Sequence, residues 1–178
     1  MNRQSEIRVY ENAYRNQNYK MGDRRKKNAE QHIATLERGS LLDVGTGRGE
    51  LLDIAEAMGF SVQGTEVVPY LIDGDRVRYA EAHSLPFETG AFDHVVCFDV
   101  MEHLVEEDII PALTEMYRVA RKTCTVSCSE MSSIYQSREL HISKRPASEW
   151  FQVIVQCWGE QAMMIGHAGR SPCFQVEK

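Results

Sequence analysis

"LLDVGTGRGE", residues 41–50, puts three glycines at alternate positions after a short apolar run that carries an aspartate. Glycine weakens regular structure, so Gly45, Gly47 and Gly49 need a local reason. Upstream, "SLLDV" is a strand candidate. Downstream, "ELLDIAEAMGF" has Leu51, Leu52, Ile54, Ala55 and Met58 at helical spacing, and Gly59 ends it. The glycines therefore occupy a strand-to-helix turn. There they allow a tight turn and a close approach of backbone to a ligand, beside free N–H groups at the helix N-terminus.

The flanking sequence extends this alternation. Residues 5–18 and 24–38 have helical patterns, and Gly39 suits a helix end. Further strands are expected in "SVQGTEV", "RVRYAEA", "FDHVVCFDV", "TCTVSCS", "QAMMIGH" and "CFQVEK". Helices are expected in "EEDIIPALTEMYRVAR", despite Pro111, and in "SEWFQVIVQCWG", with Ser148 as N-cap. Strands alternating with helices predict a doubly wound α/β fold with a mostly parallel sheet. Only a short turn separates the last two strands, so they should pair antiparallel. In such sheets ligands bind at the carboxyl ends of the strands, where strand order reverses.

The 178 residues suffice for one domain with a sizeable core. The expectation is a single domain over 1–178, with residues 1–38 a helical cover and 39–178 the ligand-binding core. No apolar run approaches a membrane span of about 20 residues, and the N-terminus has no apolar signal core. Five cysteines, without a CxxC pair, read as buried reduced thiols. A cytoplasmic protein is expected, with no membrane partner. Residues 1–38 carry 9 Lys and Arg against 5 Asp and Glu, the remainder 11 against 21. The basic run Arg24–Lys27 reads as the wet face of a helix, and the acidic body argues against a nucleic-acid partner.

The glycine spacing narrows the ligand. Dinucleotide sites use GxGxxG, and the third glycine of that pattern would fall at Glu50. Here the spacing is GxGxG, with Asp43 two residues ahead. An acid there would repel a pyrophosphate but suit a ligand with a cationic amino group. Glu66, at the end of the second strand, can accept hydrogen bonds from ribose hydroxyls under either reading.

"LDVGTGRG", "GTEVV", "AEAHSLPF" and "FDHVVCFDVMEHL", in that order between residues 41 and 104, resemble the class I S-adenosylmethionine-dependent methyltransferases, in particular the methyltransferase type 11 group. The resemblance implies a Rossmann-like seven-stranded sheet with an antiparallel C-terminal hairpin. It implies S-adenosylmethionine as cofactor and S-adenosylhomocysteine as product. Asp43, Gly45, Thr46, Gly47 and Gly49 would hold the methionine part. Glu66 would bind the ribose, and Val67 would lie against the adenine. Glu81, Ala82 and His83 would meet the adenine edge, although this chain has Ala80-Glu81 where relatives carry Gly-Asp. Asp99 and Val100 would border the transferred methyl. Two further departures are the short "VVPYLIDGDRV", which leaves room only for a turn, and the absence of an inserted substrate domain. Residues 1–38 should then supply the cover, with Tyr10, Tyr14 and Tyr19 closing over the cofactor.

Methyl transfer from a sulfonium is an in-line displacement, in which the protein positions and desolvates the nucleophile. His103, in "MEHL", and His141, in "SRELHISKRPASEW", are the candidate bases. Glu102, His103, Glu130 and His141 are good ligand types, yet no metal is expected. The (D/N)PPY motif of exocyclic-amine nucleic-acid methylation is absent, since the chain reads "DVME" there, and Pro172-Cys173 lies in the last hairpin. The leading expectation is a methyltransferase acting on oxygen or nitrogen of a small molecule, as a monomer or homodimer. The alternatives are a non-catalytic S-adenosylmethionine-binding or accessory subunit, and a nicotinamide oxidoreductase.

Overall fold

A computed structural model describes residues 3–15, 21–168 and 170–178. Tyr19 lies outside them. Two helices, α1 (Arg3–Arg15) and α2 (Asp23–Ile33), precede β1 (Ser40–Val44), α3 (Glu50–Ala57) and β2 (Ser61–Glu66). Then come β3 (Val77–Tyr79), β4 (Phe92–Cys97), α4 (Glu106–Val119) and β5 (Ala120–Ser127). A small hairpin of β6 (Ile134–Tyr135) and β7 (Arg138–Glu139) leads to α5 (Ala147–Trp158), β8 (Met163–Ala168) and β9 (Ser171–Glu177).

The main sheet has seven strands in the order β3-β2-β1-β4-β5-β9-β8. The first five pair in parallel, and β9 runs antiparallel to both β5 and β8. The doubly wound reading and the C-terminal antiparallel pair are therefore observed. Strand order reverses between β1 and β4, which puts the glycine turn at the switch point.

Both faces of the central strands are buried. Successive side chains point to opposite faces, and Leu41 and Leu42 accordingly join different clusters, as do Val95 and Val96. On one side Leu42 and Val95 pack with Met101, Leu113, Met116, Trp150 and Trp158, from α4, α5 and the loop before α4. On the other, Leu41 and Val96 meet Ala29 and Ile33 of α2 and Leu51 and Ala55 of α3.

Several boundaries differ from expectation. The second helix ends at Ile33, and Gly39 terminates no helix; a Cβ there would run into the Asp93 carboxylate. Ser148 sits inside α5, whose N-cap is Pro146. Helix α4 continues through Pro111. The carbonyl deprived of its donor is that of Glu107, an exposed residue, while Ile109, Leu113 and Met116 anchor the helix in the core. Between β2 and β3 there is only a short 3-10 turn, Pro69–Leu71, as the sequence implies. All five cysteines are free.

Asp93 ties three strands together. Its Oδ2 accepts from the Ser40 N–H at 3.0 Å and the Ser40 hydroxyl at 3.2 Å, and its Oδ1 pairs with Arg121 at 2.7 Å. The Ser40 N–H, and then Arg121, hold its carboxyl well below the ordinary carboxylate range. A carboxyl depressed in the folded state contributes its stability fully above the unfolded value of about 3.9 and loses it as pH falls. Asp93→Asn should cost about 1–3 kcal/mol at pH 7. In urea unfolding the gap to the parent chain should narrow as the pH is lowered below 4. A gap independent of pH would contradict this assignment.

Candidate functional site

At the carboxyl ends of β1, β2 and β4 lies an open cleft, lined by residues of α1, the glycine turn and the segments after β2, β3 and β4. The glycine turn forms its floor. Gly45, Gly47 and Gly49 take φ of +76°, +56° and +76°, a left-handed region that side chains resist. At Gly45 a Cβ would collide with Val100, and at Gly47 it would lie 2.5 Å from the Tyr14 hydroxyl. The first glycine thus lets β1 and β4 approach, and the second admits a residue from the N-terminal helix.

Glu66 locks this turn. Its Oε2 accepts the Gly47 N–H at 2.8 Å, and its Oε1 accepts the N–H groups of Val67 and Val68 at 2.7 and 3.0 Å. Burial raises its pKa despite these three bonds. Asp43, on β1 below the turn, is raised to about 7, first by burial and then by Glu66, with the Thr46 hydroxyl pulling the other way.

Opposite the turn, Asp99 and Val100 follow β4. Asp99 has φ +57°, unusual for a residue with a side chain. Three contacts hold it there. Its N–H donates to Ser127 Oγ at 2.9 Å, its Oδ1 accepts from Ser171 Oγ at 3.2 Å, and its Oδ2 pairs with Arg25 at 3.0 Å. Arg25 belongs to the basic run. Lys26 of the same run pairs with Glu50 at 2.8 Å, so half of the expected wet face is engaged within the fold.

Helix α1 roofs the cleft. Ile7, Tyr10 and Tyr14 line it. Tyr10 Oη lies 2.5 Å from His103 Nδ1 and donates to the Leu140 carbonyl at 3.2 Å. Tyr70 and Tyr135 donate to the backbone carbonyls of Glu11 and Asn12, and Arg48 to that of Tyr14. The helix is therefore tied to the loops after β1 and β2 and to the β6–β7 hairpin.

The cleft brings together Gly45, Glu66, Val67, Glu81, Ala82, His83, Asp99, Val100 and His103 from the sequence candidates. Asp43, Thr46, Gly47, Gly49 and His141 do not line it. Asp43 and Thr46 are buried beneath the turn, Tyr14 covers Gly47, and Gly49 caps α3. Asp108 of α4, 3.7 Å from His83 Nδ1, lines the cleft unforeseen. Its place in an acidic first helical turn resembled ordinary helix chemistry.

Behind the rim, Glu102, His103 and His141 form a cluster in which one ligand atom of each lies within 4.8 Å of the others. The imidazoles meet edge-on at 4.6 Å. Burial, and then His141, lower His103 to about 3, and burial lowers His141 as well, so both rings are neutral near pH 7. Burial, and then Asp99, raise Glu102 to about 8. Glu130 stands apart, its carboxylate accepting the Ala147 N–H at the start of α5.

Residues 42–128 match the family model described as a methyltransferase domain. No curated protein matches the sequence. Among solved structures, a Pyrococcus horikoshii protein superposes with a TM-score of 0.69 at 16% identity, over 86% of this chain and 88% of that one. A Burkholderia thailandensis 1,6-didemethyltoxoflavin N1-methyltransferase, with its substrate and S-adenosylhomocysteine bound, gives 0.65 at 18%, over 86% and 78%. A small RNA methyltransferase gives 0.66 at 16%, over 86% of this chain but 25% of the other. These likenesses establish a shared fold.

Two measurements test the floor of the cleft. Gly47→Ala should destabilise the chain by about 1–3 kcal/mol, from the left-handed backbone and the contact with Tyr14. Adding Tyr14→Phe should restore part of the loss, and strictly additive effects in a double-mutant cycle would count against the contact. Asp43 is raised in the folded state, so the fold binds an extra proton between about pH 4 and 7. Its stability contribution is complete below that window and declines as pH rises, by up to about 1.4 kcal/mol per pH unit. Asp43→Asn should flatten that decline in pH-dependent thermal unfolding.

Proposed function

We propose that the chain, whose residues 42–128 match the methyltransferase-domain model, acts as a single domain and uses S-adenosylmethionine to methylate an oxygen or nitrogen atom of a small molecule. The observation that carries the small acceptor is the roof. Helix α1 is bonded to three sides of the cleft, and Tyr10 reaches His103 across it. A duplex or a folded protein surface would have to displace this cover, whereas a small molecule can enter beside it. Methyl transfer also requires water to be kept from the sulfonium and the nucleophile, and a roof of Ile7, Tyr10 and Tyr14 supplies that exclusion.

In this reading the methionine part of the cofactor lies along the glycine turn. Asp43 supports it from below, through the turn or through water. A carboxylate has about four acceptor positions, and backbone donors already take three on Glu66. The remaining position, on Oε2, suits one ribose hydroxyl. Val67 and Ala82 offer apolar surface to the adenine, with Glu81 and His83 at its edge. Val100 and His103 would border the transferred methyl. His103 is a neutral imidazole at the rim, suited to accept a hydrogen bond from the acceptor and to orient it. His141 lies behind His103 and positions it.

Thermal unfolding with S-adenosylmethionine, S-adenosylhomocysteine and NAD tests the cofactor assignment. A ligand at 100 times its dissociation constant adds about 2.7 kcal/mol. Both sulfur cofactors should raise the melting temperature by several degrees, NAD should not, and Glu66→Ala should remove most of the shift. Turnover to S-adenosylhomocysteine with a panel of small hydroxyl and amine compounds, but not with RNA, would bear out the acceptor class. Cofactor binding without turnover on any acceptor would favour an accessory subunit.

A further inference from the structure

We propose that Glu102, His103 and His141 bind a divalent transition-metal ion on the acceptor side of the cleft. The site stands on geometry alone, and only its role rests on the methyltransferase reading. Glu102 and His103 belong to the 3-10 turn Met101–His103 after β4, and His141 follows the β6–β7 hairpin. Segments nearly forty residues apart thus deliver one carboxylate and two imidazoles to the same point, with ligand atoms within 4.8 Å of one another.

Two observations argue that this cluster awaits a cation. Glu102 is 0% exposed, and among the described residues neither of its carboxyl oxygens has a hydrogen-bond partner of good geometry. Buried polar groups are almost always satisfied, and a buried carboxyl without a close partner is a rare exception. The surroundings of each imidazole favour the tautomer a metal needs. His141 Nδ1 lies 2.5 Å from the Met131 carbonyl, and His103 Nδ1 lies 3.0 Å from the Leu140 carbonyl and 2.5 Å from Tyr10 Oη, whose own proton goes to that carbonyl. That leaves a lone pair on each Nε2, and His141 Nε2 is 4.0 Å from Glu102 Oε1. A backbone carbonyl fixing the far nitrogen is the usual support of a ligating histidine.

Metal–ligand distances of about 2.0–2.2 Å require the three atoms to draw in by about one ångström. Two imidazoles and one carboxylate suit zinc, iron, cobalt or manganese better than magnesium or calcium, which prefer oxygen ligands. Three protein ligands leave positions open, and His103 lines the cleft. The ligand for an open position would be an acceptor hydroxyl. Coordinated there, it releases its proton to water more readily than a free alcohol. Its oxygen then attacks the methyl carbon while the methyl–sulfur bond breaks and that electron pair returns to sulfur. The acceptor class narrows to hydroxyl compounds, and with the ion bound His103 serves as a ligand in place of accepting the acceptor's hydrogen bond.

The test uses the full chain, stripped with a chelator and desalted. Zn²⁺, Co²⁺ and Mg²⁺ are titrated in separately by calorimetry, and Co²⁺ also by visible absorption. One Zn²⁺ or Co²⁺ per chain is expected, with a cobalt band typical of nitrogen and oxygen ligands and much weaker Mg²⁺ binding. His141→Ala and the isosteric Glu102→Gln should each weaken binding at least about tenfold. Failure of the folded parent chain to bind Zn²⁺ or Co²⁺, or binding unchanged in both variants, overturns the site. S-adenosylhomocysteine binding, measured in parallel, separates the two readings. A chain that binds this product but no ion loses only the metal site, and one that binds an ion but not the product loses only the cofactor assignment.

Discussion

The bond from the Gly47 N–H to the buried Glu66 carboxylate holds the working end of this molecule together. It joins the turn after β1 to the end of β2, and the same carboxylate then gathers the N–H groups of Val67 and Val68. A buried carboxylate that accepts three backbone donors is rigid and expensive to disturb. The left-handed glycines can be held in one arrangement because Glu66 grips the middle of the turn. The cleft inherits its shape from that grip, since the turn is its floor and Glu66 part of its wall.

The opposite wall is held by other means. Asp99 sits in a left-handed conformation without being glycine, so the surroundings must impose it. Ser127 of β5, Ser171 of β9 and Arg25 of α2 do so together. Elements distant in the chain thus converge on a single residue at the end of β4. The consequence reaches into the cleft, because the turn of Glu102 and His103 begins immediately after Asp99 and Val100.

Burial sets the chemistry of the acids and histidines. Asp43, Glu66 and Glu102 are all pushed upward by desolvation, and His103 and His141 downward. Each shift favours the neutral form of its group. A cation brought to this end of the sheet would draw the acids back toward their charged forms.

The strand-to-helix glycine turn, the acid at the end of the second strand and the alternation of apolar runs were legible in the chain itself, because each reports a local rule. Left-handed backbone calls for glycine, and helices and strands have their own periods. The antiparallel last pair was equally legible, since too few residues separate those strands for a crossover. The hairpin of β6 and β7 was not. Its two turn residues, Gln136 and Ser137, both have positive φ yet lack the usual Asn-Gly signature. Nor could spacing tell that Arg25 turns inward to Asp99, that Tyr10 meets His103, or that His141 comes to rest beside Glu102. Those contacts join residues 39 to 93 positions apart, and they exist only once the sheet has closed and the burial of its two faces has fixed which loops become neighbours.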